Sequence, residues 1–93
     1  MKEIKPLISV VMPAYNAQKY IRSAIESILN KTFKNFELII VNDCSKDNTL
    51  KIIETFSKKD PRIKIVNTDK RLDIAGSLNK GISKASSNLI VLN

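Results

Sequence analysis

Residues 37–49 read ELIIVNDCSKDNT, and this stretch decides the fold. The apolar run LIIV leads directly into Asn42 and Asp43, after which small polar residues follow. A short, continuous apolar run bounded by turn residues is typical of a strand that is covered on both faces. Asp47 then stands where the N-cap of a helix is expected. The stretch therefore predicts a buried strand over residues 37–42, followed by a polar turn and a helix.

The same alternation of strand and helix patterns continues along the rest of the chain. Three further strands are predicted over residues 7–12, 62–67 and 89–92, and Pro13 is expected to end the first because proline cannot donate to a central ladder. Asn16 is the predicted N-cap of the first helix. Apolar residues at helical spacing predict three helices with these inward-facing side chains: Ile21, Ala24, Ile25, Ile28 and Leu29; Leu50, Ile53 and Phe56; and Ile74, Leu78, Ile82 and Ala85.

The order of these elements predicts the fold class. Strands that alternate with helices through short connections indicate an α/β fold with a parallel sheet and helices on both of its faces. We predict a three-layer α-β-α arrangement, a Rossmann-like half-fold, around a mostly parallel four-stranded sheet. The predicted strand order is 3-2-1-4, with the third strand at an edge because its alternating pattern RIKIVN indicates one exposed face.

Length and composition limit the class of protein. A chain of 93 residues, 43% of them hydrophobic, predicts a single domain over residues 1–93. Sixteen basic residues against nine acidic ones give a net charge of +7, which favours anionic partners. The excess is densest over residues 51–71, where two interpretations stay open: a solvated lysine-rich surface, or a surface that binds nucleic acid or an anionic membrane.

Cysteine and histidine content narrows the chemistry further. The chain has one cysteine, Cys44, and no histidine, so it forms no internal disulfide and offers no zinc site. Cys44 is interpreted as an inert loop thiol. Residues 1–7 read MKEIKPL and contain no apolar signal region, so we predict a cytoplasmic protein and leave open a peripheral association with the inner face of the membrane.

The segments that follow the first two strands carry the candidate site. They read PAYN and NDCS, and in open parallel sheets ligands bind outside the carboxyl ends of the strands. Neither segment contains the glycines that a phosphate-cradling loop requires. Tyr15 offers instead an aromatic face, and Asp43 offers a carboxylate that accepts N–H or O–H groups, so the pair suits a nucleoside. Two other roles stay open: Asp43 could support the N-terminus of the next helix, and Tyr15 could be an aromatic residue at the edge of the core.

The stretch from PLISVVMPAYN through ELIIVNDCSKDNT to LKII resembles the opening of family 2 glycosyltransferases, which have the GT-A nucleotide-diphospho-sugar transferase fold. The later stretch RLDIAGSLNKGISKASSNLIVLN is similar to the family's Asn-x-Gly region and the hydrophobic strand after it. The resemblance implies that Pro13, Ala14 and Tyr15 line the base and ribose site. It also implies that Asp43 hydrogen-bonds the base, most often uracil, and that Arg71 approaches the base and diphosphate.

Several residues depart from the family pattern or have a mainly structural role by resemblance. Asn42 replaces the usual first acid of an Asp-Asp pair, and Leu78 stands where many members have arginine. Cys44 and Asp73 stand where glycine is common. The phosphate side of the pocket therefore stays open. Two residues of the family's Asn-x-Gly pattern are expected to be structural: Asn79 and Gly81.

The resemblance further implies the activity of a longer protein. It implies transfer of a sugar, with inversion, from a nucleotide-diphospho-sugar (UDP-linked in the first instance) to a hydroxyl of a saccharide, lipid-linked or protein-glycan acceptor. Such a transferase would serve polysaccharide or cell-envelope synthesis and would use Mg²⁺ or Mn²⁺ on an Asp-x-Asp motif. Asn93 falls at or just before the position of that motif, so no catalytic residue and no bound metal are expected within this chain.

Two further expectations follow. We expect residue 93 to be a boundary within a longer protein, and the apolar surface left open there to allow self-association. The alternative function is a non-catalytic basic α/β module that binds nucleic acid or an anionic membrane. Few aromatic residues and dispersed basic residues disfavour nucleic acid as a partner.

Overall fold

The computed structural model of the protein describes residues 6–31 and 34–93. Its elements, in chain order, are β1 (Ile8–Ala14), α1 (Ile21–Leu29), β2 (Phe36–Asn42), α2 (Thr49–Lys59), β3 (Ile63–Asn67), α3 (Asp73–Ser83) and β4 (Ile90–Leu92). The four strands are parallel and lie in the order β3-β2-β1-β4. The predicted α/β class, strand order and edge position of the third strand are confirmed. Residues 1–5, part of the segment on which the predicted location rests, lie outside the described residues.

Helices cover the sheet on both faces. One face carries alternate residues of β1 and β2, such as Val10 and Leu38, which pack with Ile25 of α1 and Ile53 of α2. The other face carries the intervening residues and packs against α3; its buried members are Val11, Ile39 and Val41. Since β2 is buried along its whole length, the apolar run LIIV behaves as predicted for a covered strand. Among the described residues, no helix is both long enough and apolar enough to cross a bilayer.

The face of α3 that packs on the sheet differs from the predicted one. Ser77 and Gly81 are buried, whereas Ile74 and Ile82, predicted to face inward, are exposed by 71% and 36%. The reason is the close approach of this helix to the sheet. A Cβ atom on Gly81 would lie 2.3 Å from Cγ1 of Val11, so only a small residue fits at the contact. The two other predicted core residues of this helix do pack on the sheet, half-buried: Leu78 and Ala85.

Pro13 does not end β1, contrary to the prediction, because it lies within the strand and pairs with Val41. Successive residues of a strand direct their backbone groups to opposite neighbours. The carbonyl of Val11 accepts from the N–H of Asn93, the residue after β4, whereas the carbonyl of Ala14 accepts from the N–H of Asp43, the residue after β2. Pro13 therefore presents its nitrogen on the β4 side, past the last β4 hydrogen bond, and its missing N–H costs no bond to β2.

The predicted N-terminus of α1 is also wrong. Asn16 lies in the left-handed region, with φ of 46°, and its side chain accepts from the N–H of Lys46 at 2.8 Å. The carbonyl of Ala17 accepts from the N–H groups of both Tyr20 and Ile21, so a separate turn precedes the helix. Asn16 thus joins two loops instead of capping a helix.

The other elements are close to their predicted positions. The N-cap of α2 is Asn48 and not Asp47 as predicted, because the helix begins one residue later than expected. The Asp47 carboxylate still accepts from the N–H of Thr49, the first residue of α2, at 2.9 Å. In α2, Ile52 packs against the core in addition to Ile53 and Phe56, whereas Leu50 is only half-buried. The strands β3 and β4 each begin one residue later than predicted.

Candidate functional site

A cavity of about 380 Å³ opens at the carboxyl ends of β1 and β2, beside the start of α3. All five residues predicted to bind the nucleotide line this one cavity: Pro13, Ala14, Tyr15, Asp43 and Arg71. Four further residues complete its lining: Ala17, Asp73, Ile74 and Ser77. The structure therefore brings the predicted residues together, while their binding of a nucleotide stays a prediction.

Asp43 is the buried anchor of this site, with a relative exposure of 2%. Its Oδ1 accepts from the hydroxyl of Thr68 at 2.9 Å and from the N–H of Leu72 at 2.8 Å. Its Oδ2 accepts from Nη1 of Arg71 at 2.5 Å. Asp43 therefore ties the loop between β3 and α3 to the end of β2, a role that differs from support of the α2 N-terminus.

The charge of the Asp43 carboxylate is stabilised by these partners. Burial alone would raise the pKa of Asp43, but the N–H of Leu72, the hydroxyl of Thr68 and the charge of Arg71 together hold this pKa below its ordinary value of 3.8. The hydroxyl of Ser77 lies close enough to contribute in the same direction, although it makes no hydrogen bond of normal geometry with the carboxylate. The site is thus anionic at its base at neutral pH.

Tyr15 and Arg71 form a stacked pair over the mouth of the cavity. The guanidinium carbon of Arg71 lies 3.4 Å from the centroid of the Tyr15 ring. Both side chains are about half-exposed, at 44% for the Tyr15 residue and 46% for the Arg71 side chain. A tyrosine ring and a guanidinium group held flat against each other leave planar surfaces on which an aromatic base can stack. The Tyr15 ring thus lies at the cavity mouth, not in the core.

Two non-glycine residues with left-handed backbone lie next to Asp43 and Leu72 in the chain. Cys44, with φ of 60°, directly follows Asp43, and Asp73, with φ of 64°, directly follows Leu72. The left-handed region costs a residue with a Cβ roughly 1–2 kcal/mol, so glycine would adopt the backbone at both positions at lower cost. The chain thus turns directly after Asp43 and directly after Leu72, whose N–H donates to Asp43.

Hydrogen bonds between the two loops that precede α1 and α2 fix the other wall. The N–H of Ala17 donates to the hydroxyl of Thr49 at 2.7 Å, and the N–H of Asn48 donates to the side chain of Gln18 at 2.9 Å. Three more bonds join the same loops through the side chains of Asn16, Ser45 and Asp47. These polar side chains therefore hold the two loops together.

Three residues of the site were missed from sequence: Thr68, Leu72 and Ser77. Thr68 directly follows β3, so its place at a strand end was a usable signal. Leu72 acts through its backbone N–H, which no side-chain pattern reveals. Ser77 precedes Gly81 by four residues, and two small residues at that spacing mark the face of a helix that approaches its neighbour closely.

A divalent metal ion does not fit the described residues on their own. Across residues 6–31 and 34–93, no group of three or more acidic, cysteine or histidine side chains converges on one point. Asn93 ends the chain beside β1, where its N–H donates to the carbonyl of Val11 at 2.9 Å, and it does not line the cavity.

Known proteins resemble this chain in sequence. The model of glycosyl transferase family 2 matches residues 9–93. A glycosyltransferase of Haemophilus influenzae is 48% identical over 77 residues, which are 83% of this chain and 24% of that protein. TuaG of Bacillus subtilis, a candidate teichuronic acid biosynthesis glycosyltransferase, is 39% identical over 85 residues, which are 91% of this chain and 34% of that protein. The chain thus spans about a quarter to a third of the length of these relatives.

Solved structures resemble the fold to a similar extent. TarS 1-349 of S. aureus superposes with a TM-score of 0.84 at 29% identity, covering 97% of this chain and 27% of that one. A mannosyltransferase of Pyrobaculum calidifontis, PcManGT, in complex with GDP-Man and Mn²⁺, also gives 0.84, at 21% identity over 94% of this chain and 26% of that one, and this second likeness concerns the fold alone. The fold is that of GT-A glycosyltransferases, and the chain belongs to glycosyl transferase family 2.

Proposed function

We propose that the protein transfers a sugar from a UDP-linked donor to an acceptor hydroxyl, and that residues 1–93 supply the nucleoside-binding part of the site. The observation that carries this proposal is the single cavity in which a buried carboxylate, an aromatic ring and a guanidinium group meet at the strand ends. Two TarS structures, 28% identical to this chain, are complexes with UDP and with UDP-GlcNAc, which supports a uridine nucleotide as the donor.

The hydrogen-bond inventory of Asp43 supports recognition of a base N–H. A carboxylate offers about four lone-pair positions, two on each oxygen. Oδ1 already accepts from two donors of the protein, whereas Oδ2 accepts one hydrogen bond of normal geometry from a side chain of residues 6–31 and 34–93, that of Arg71. One position on Oδ2 is thus left for a ligand, and the imide N–H of uracil is a donor that suits it.

The stacked pair of Tyr15 and Arg71 supplies the remaining contacts in this proposal. The base lies against the planar surfaces of the pair, a contact worth roughly 1–3 kcal/mol. The guanidinium group can also follow the diphosphate, since half of its surface is free of protein contacts. Pro13 and Ala14, at the end of β1, form the wall next to the ribose.

The proposed reaction is an inverting displacement at the anomeric carbon of the donor sugar. The bond from this carbon to the diphosphate oxygen breaks with its electron pair on the leaving nucleotide, and the acceptor hydroxyl forms the new bond from the opposite face. A carboxylate of the protein takes the hydroxyl proton. We place that base, the acceptor site and the carboxylate ligands of any divalent ion in a chain longer than residues 1–93, with Asn93 next to the metal motif.

Location and assembly belong to the same proposal. A donor nucleotide is a cytoplasmic metabolite, so we place the protein in the cytoplasm, with peripheral contact to the inner membrane face if its acceptor is lipid-linked. The β4 edge exposes Leu89, Val91 and Leu92, which favours self-association of residues 1–93 when nothing covers that edge.

Amide-shift NMR with UDP tests the proposal. Shifts are expected at residues 14–16, 42–45 and 71, with little change between low and high salt. Replacement of Tyr15 by alanine should weaken binding about 10-fold through the lost stacking surface. The matched control is Tyr20→Ala, because Tyr20 is exposed by 72% and does not line the cavity. Added Mg²⁺ should leave the affinity unchanged, since residues 6–31 and 34–93 offer no cluster of side chains that could hold it.

The same titration distinguishes the proposed nucleoside site from the alternative function. A basic module that binds nucleic acid or an anionic membrane would bind single-stranded DNA or anionic vesicles with an affinity that falls steeply as salt rises. Equal losses in Tyr15→Ala and Tyr20→Ala, or shifts confined to the lysines of α2, would contradict the nucleoside site.

A further inference from the structure

Ser77 carries a buried hydroxyl without a partner. The residue is exposed by 1%, and across residues 6–31 and 34–93 its Oγ finds no hydrogen-bond partner. Buried hydroxyls are almost always hydrogen-bonded, because an unpaired one loses its bonds to water and gains none. Ser77 also lines the cavity at the strand ends. An unpaired, buried polar group in the wall of a cavity indicates a bond that a ligand completes.

The packing of α3 explains why this hydroxyl lies beside Asp43. Gly81, one helical turn after Ser77, contacts the side chains of Val11 and Val41. Two residues further along the same face of the two strands stand Pro13 and Asp43. Because residues four apart share one face of a helix, Ser77 lies over these two strand ends.

We propose that Ser77 is a base-specificity residue of the nucleotide site, whose hydroxyl donates to a ring carbonyl next to the N–H that Asp43 accepts. This inference rests on the proposed function. The two side chains together read a lactam edge, in which an N–H group and a carbonyl are adjacent. Uracil presents such an edge, and cytosine does not, because its ring N3 is an acceptor and would face the carboxylate.

The close packing of α3 against the sheet limits the size of the residue that fits at position 77. Gly81 leaves no room for a Cβ, so α3 lies too close to the sheet for Ser77 to be replaced by a large residue without moving the helix. An alanine would satisfy that restriction equally well, and it would avoid the unpaired hydroxyl. Packing alone therefore does not explain the hydroxyl, which lies beside the Asp43 carboxylate without a hydrogen bond of normal geometry.

Two measurements on Ser77→Ala test the inference, with Ser83→Ala as the control on the same helix. Ser83 is exposed, and its hydroxyl donates to the carbonyl of Lys80. By NMR titration, the dissociation constant for UDP is expected to rise about 10-fold in Ser77→Ala and to stay unchanged in Ser83→Ala. The constant for CDP should stay within about 2-fold of the wild-type value. Without nucleotide, the melting temperature of Ser77→Ala should equal or exceed that of the wild type.

Each other outcome has a separate meaning. If the wild type prefers UDP and Ser77→Ala binds it equally well, the hydroxyl does not touch the base; the inference is overturned and the proposed function stands. If Ser77→Ala melts below the wild type without nucleotide, the hydroxyl is bonded within the protein and the inference is overturned as well. If the wild type shows no preference for uridine over cytidine nucleotides, the proposed donor is wrong and the inference falls with it.

Discussion

Two buried carboxylates lie at opposite ends of β2, on the same face of the sheet, and they differ in which parts of the chain supply their hydrogen-bond partners. Glu37, at the amino end, is exposed by 3%, and Asp43, just past the carboxyl end, by 2%. Both are paired with a basic side chain: Glu37 with Lys64, and Asp43 with Arg71. Both also accept hydrogen bonds from a hydroxyl and from a backbone N–H.

The partners of Glu37 come from separate elements of the sheet. Ser9 of β1 donates to its Oε2 at 2.5 Å, Lys64 of β3 donates to Oε1, and the N–H of Ser86, before β4, donates to Oε2 at 2.6 Å. The carboxylate thus joins the beginnings of all four strands. Ligands of parallel sheets bind outside the carboxyl ends of the strands, so we interpret the acid at this amino end as structural.

The partners of Asp43 come from one short loop, Thr68 to Leu72, and the acid lines a cavity. Its basic partner stacks on Tyr15 at the cavity mouth. Burial, charge pairing and hydrogen bonding are thus alike at the two ends of β2. The two acids differ in their position along the strand. Asp43 follows the carboxyl end of β2 and lines a cavity, whereas Glu37 lies at the amino end and joins the strands to one another.

Among the variants that test this comparison, Glu37→Ala is expected to change the free energy of unfolding most. The change leaves the buried Ser9 hydroxyl and the N–H of Ser86 without their acceptor, while Lys64 can return to water because half of its side chain is exposed. The free energy of unfolding should fall by about 3 kcal/mol, measured by urea denaturation. Affinity for UDP should be unchanged in the folded variant, since Glu37 lies at the far end of the sheet.

Glu54→Ala is the control for this prediction, because Glu54 is exposed on α2. Its effect on the free energy of unfolding should stay within about 0.5 kcal/mol. A similar small effect from Glu37→Ala would mean that the amino-terminal network contributes nothing to stability, and the comparison between the two ends would fail.

The fold could be predicted from sequence to a large extent. Apolar runs such as LIIV reveal buried strands, and their alternation with helical patterns indicates a parallel sheet. The packed face of α3 could not be predicted, because its choice depends on the close contact of Gly81 with Val11 and not on hydrophobicity. Pro13 was misjudged for a similar reason, since only the register with β4 shows which neighbour its nitrogen faces.

The candidate site could be predicted only where side chains follow a strand end or match a family motif. Position and resemblance indicated Tyr15, Asp43 and Arg71, which do line one cavity. Position alone does not reveal that Asp43 already accepts from three donors, because these come from a loop 25 to 29 residues later in the chain. Glu37 was overlooked, although a charged residue in an otherwise apolar covered strand signals a buried polar contact.

Arg71→Ala should lower the free energy of unfolding by less than Glu37→Ala does, and Arg62→Ala is its matched control. Arg62 also pairs with a carboxylate, that of Asp60, and lies over an aromatic ring, that of Phe36, but at the amino end of the sheet. Both variants should lose about 1 kcal/mol of unfolding free energy, since both arginines are partly exposed. Only Arg71→Ala should bind UDP about 10-fold more weakly, a difference of about 1.4 kcal/mol.

Isothermal titration calorimetry with UDP distinguishes the two arginines. Equal affinities in Arg71→Ala and Arg62→Ala would show that the guanidinium group at the cavity is as structural as its counterpart. The cavity would then contribute through Asp43 and Tyr15 alone.

The smallest expected effect is the loss of unfolding free energy in acid, and the pH at which this loss occurs should differ between the two carboxylates. Burial raises the pKa of Glu37, but hydrogen bonds from Lys64, Ser9 and Ser86 and the charge of Lys64 hold it below its ordinary value of 4.5. The pKa of Asp43 is likewise held below its ordinary value of 3.8. Each acid binds fewer protons in the folded state, so each contributes stability above its ordinary pKa that is lost as the pH falls through the lowered one.

The wild type should therefore lose unfolding free energy as the pH falls below about 4.5, first through Glu37 and then, below about 3.8, through Asp43. Glu37→Gln should remove the earlier part of this loss, and Asp43→Asn the later part, in urea denaturation repeated between pH 7 and pH 3. Each variant is compared with its own stability at pH 7, because amide substitution weakens both networks at every pH. If both variants follow the wild-type slope throughout, neither acid gains its stability from being charged. The two ends of β2 would then differ in their cavity alone.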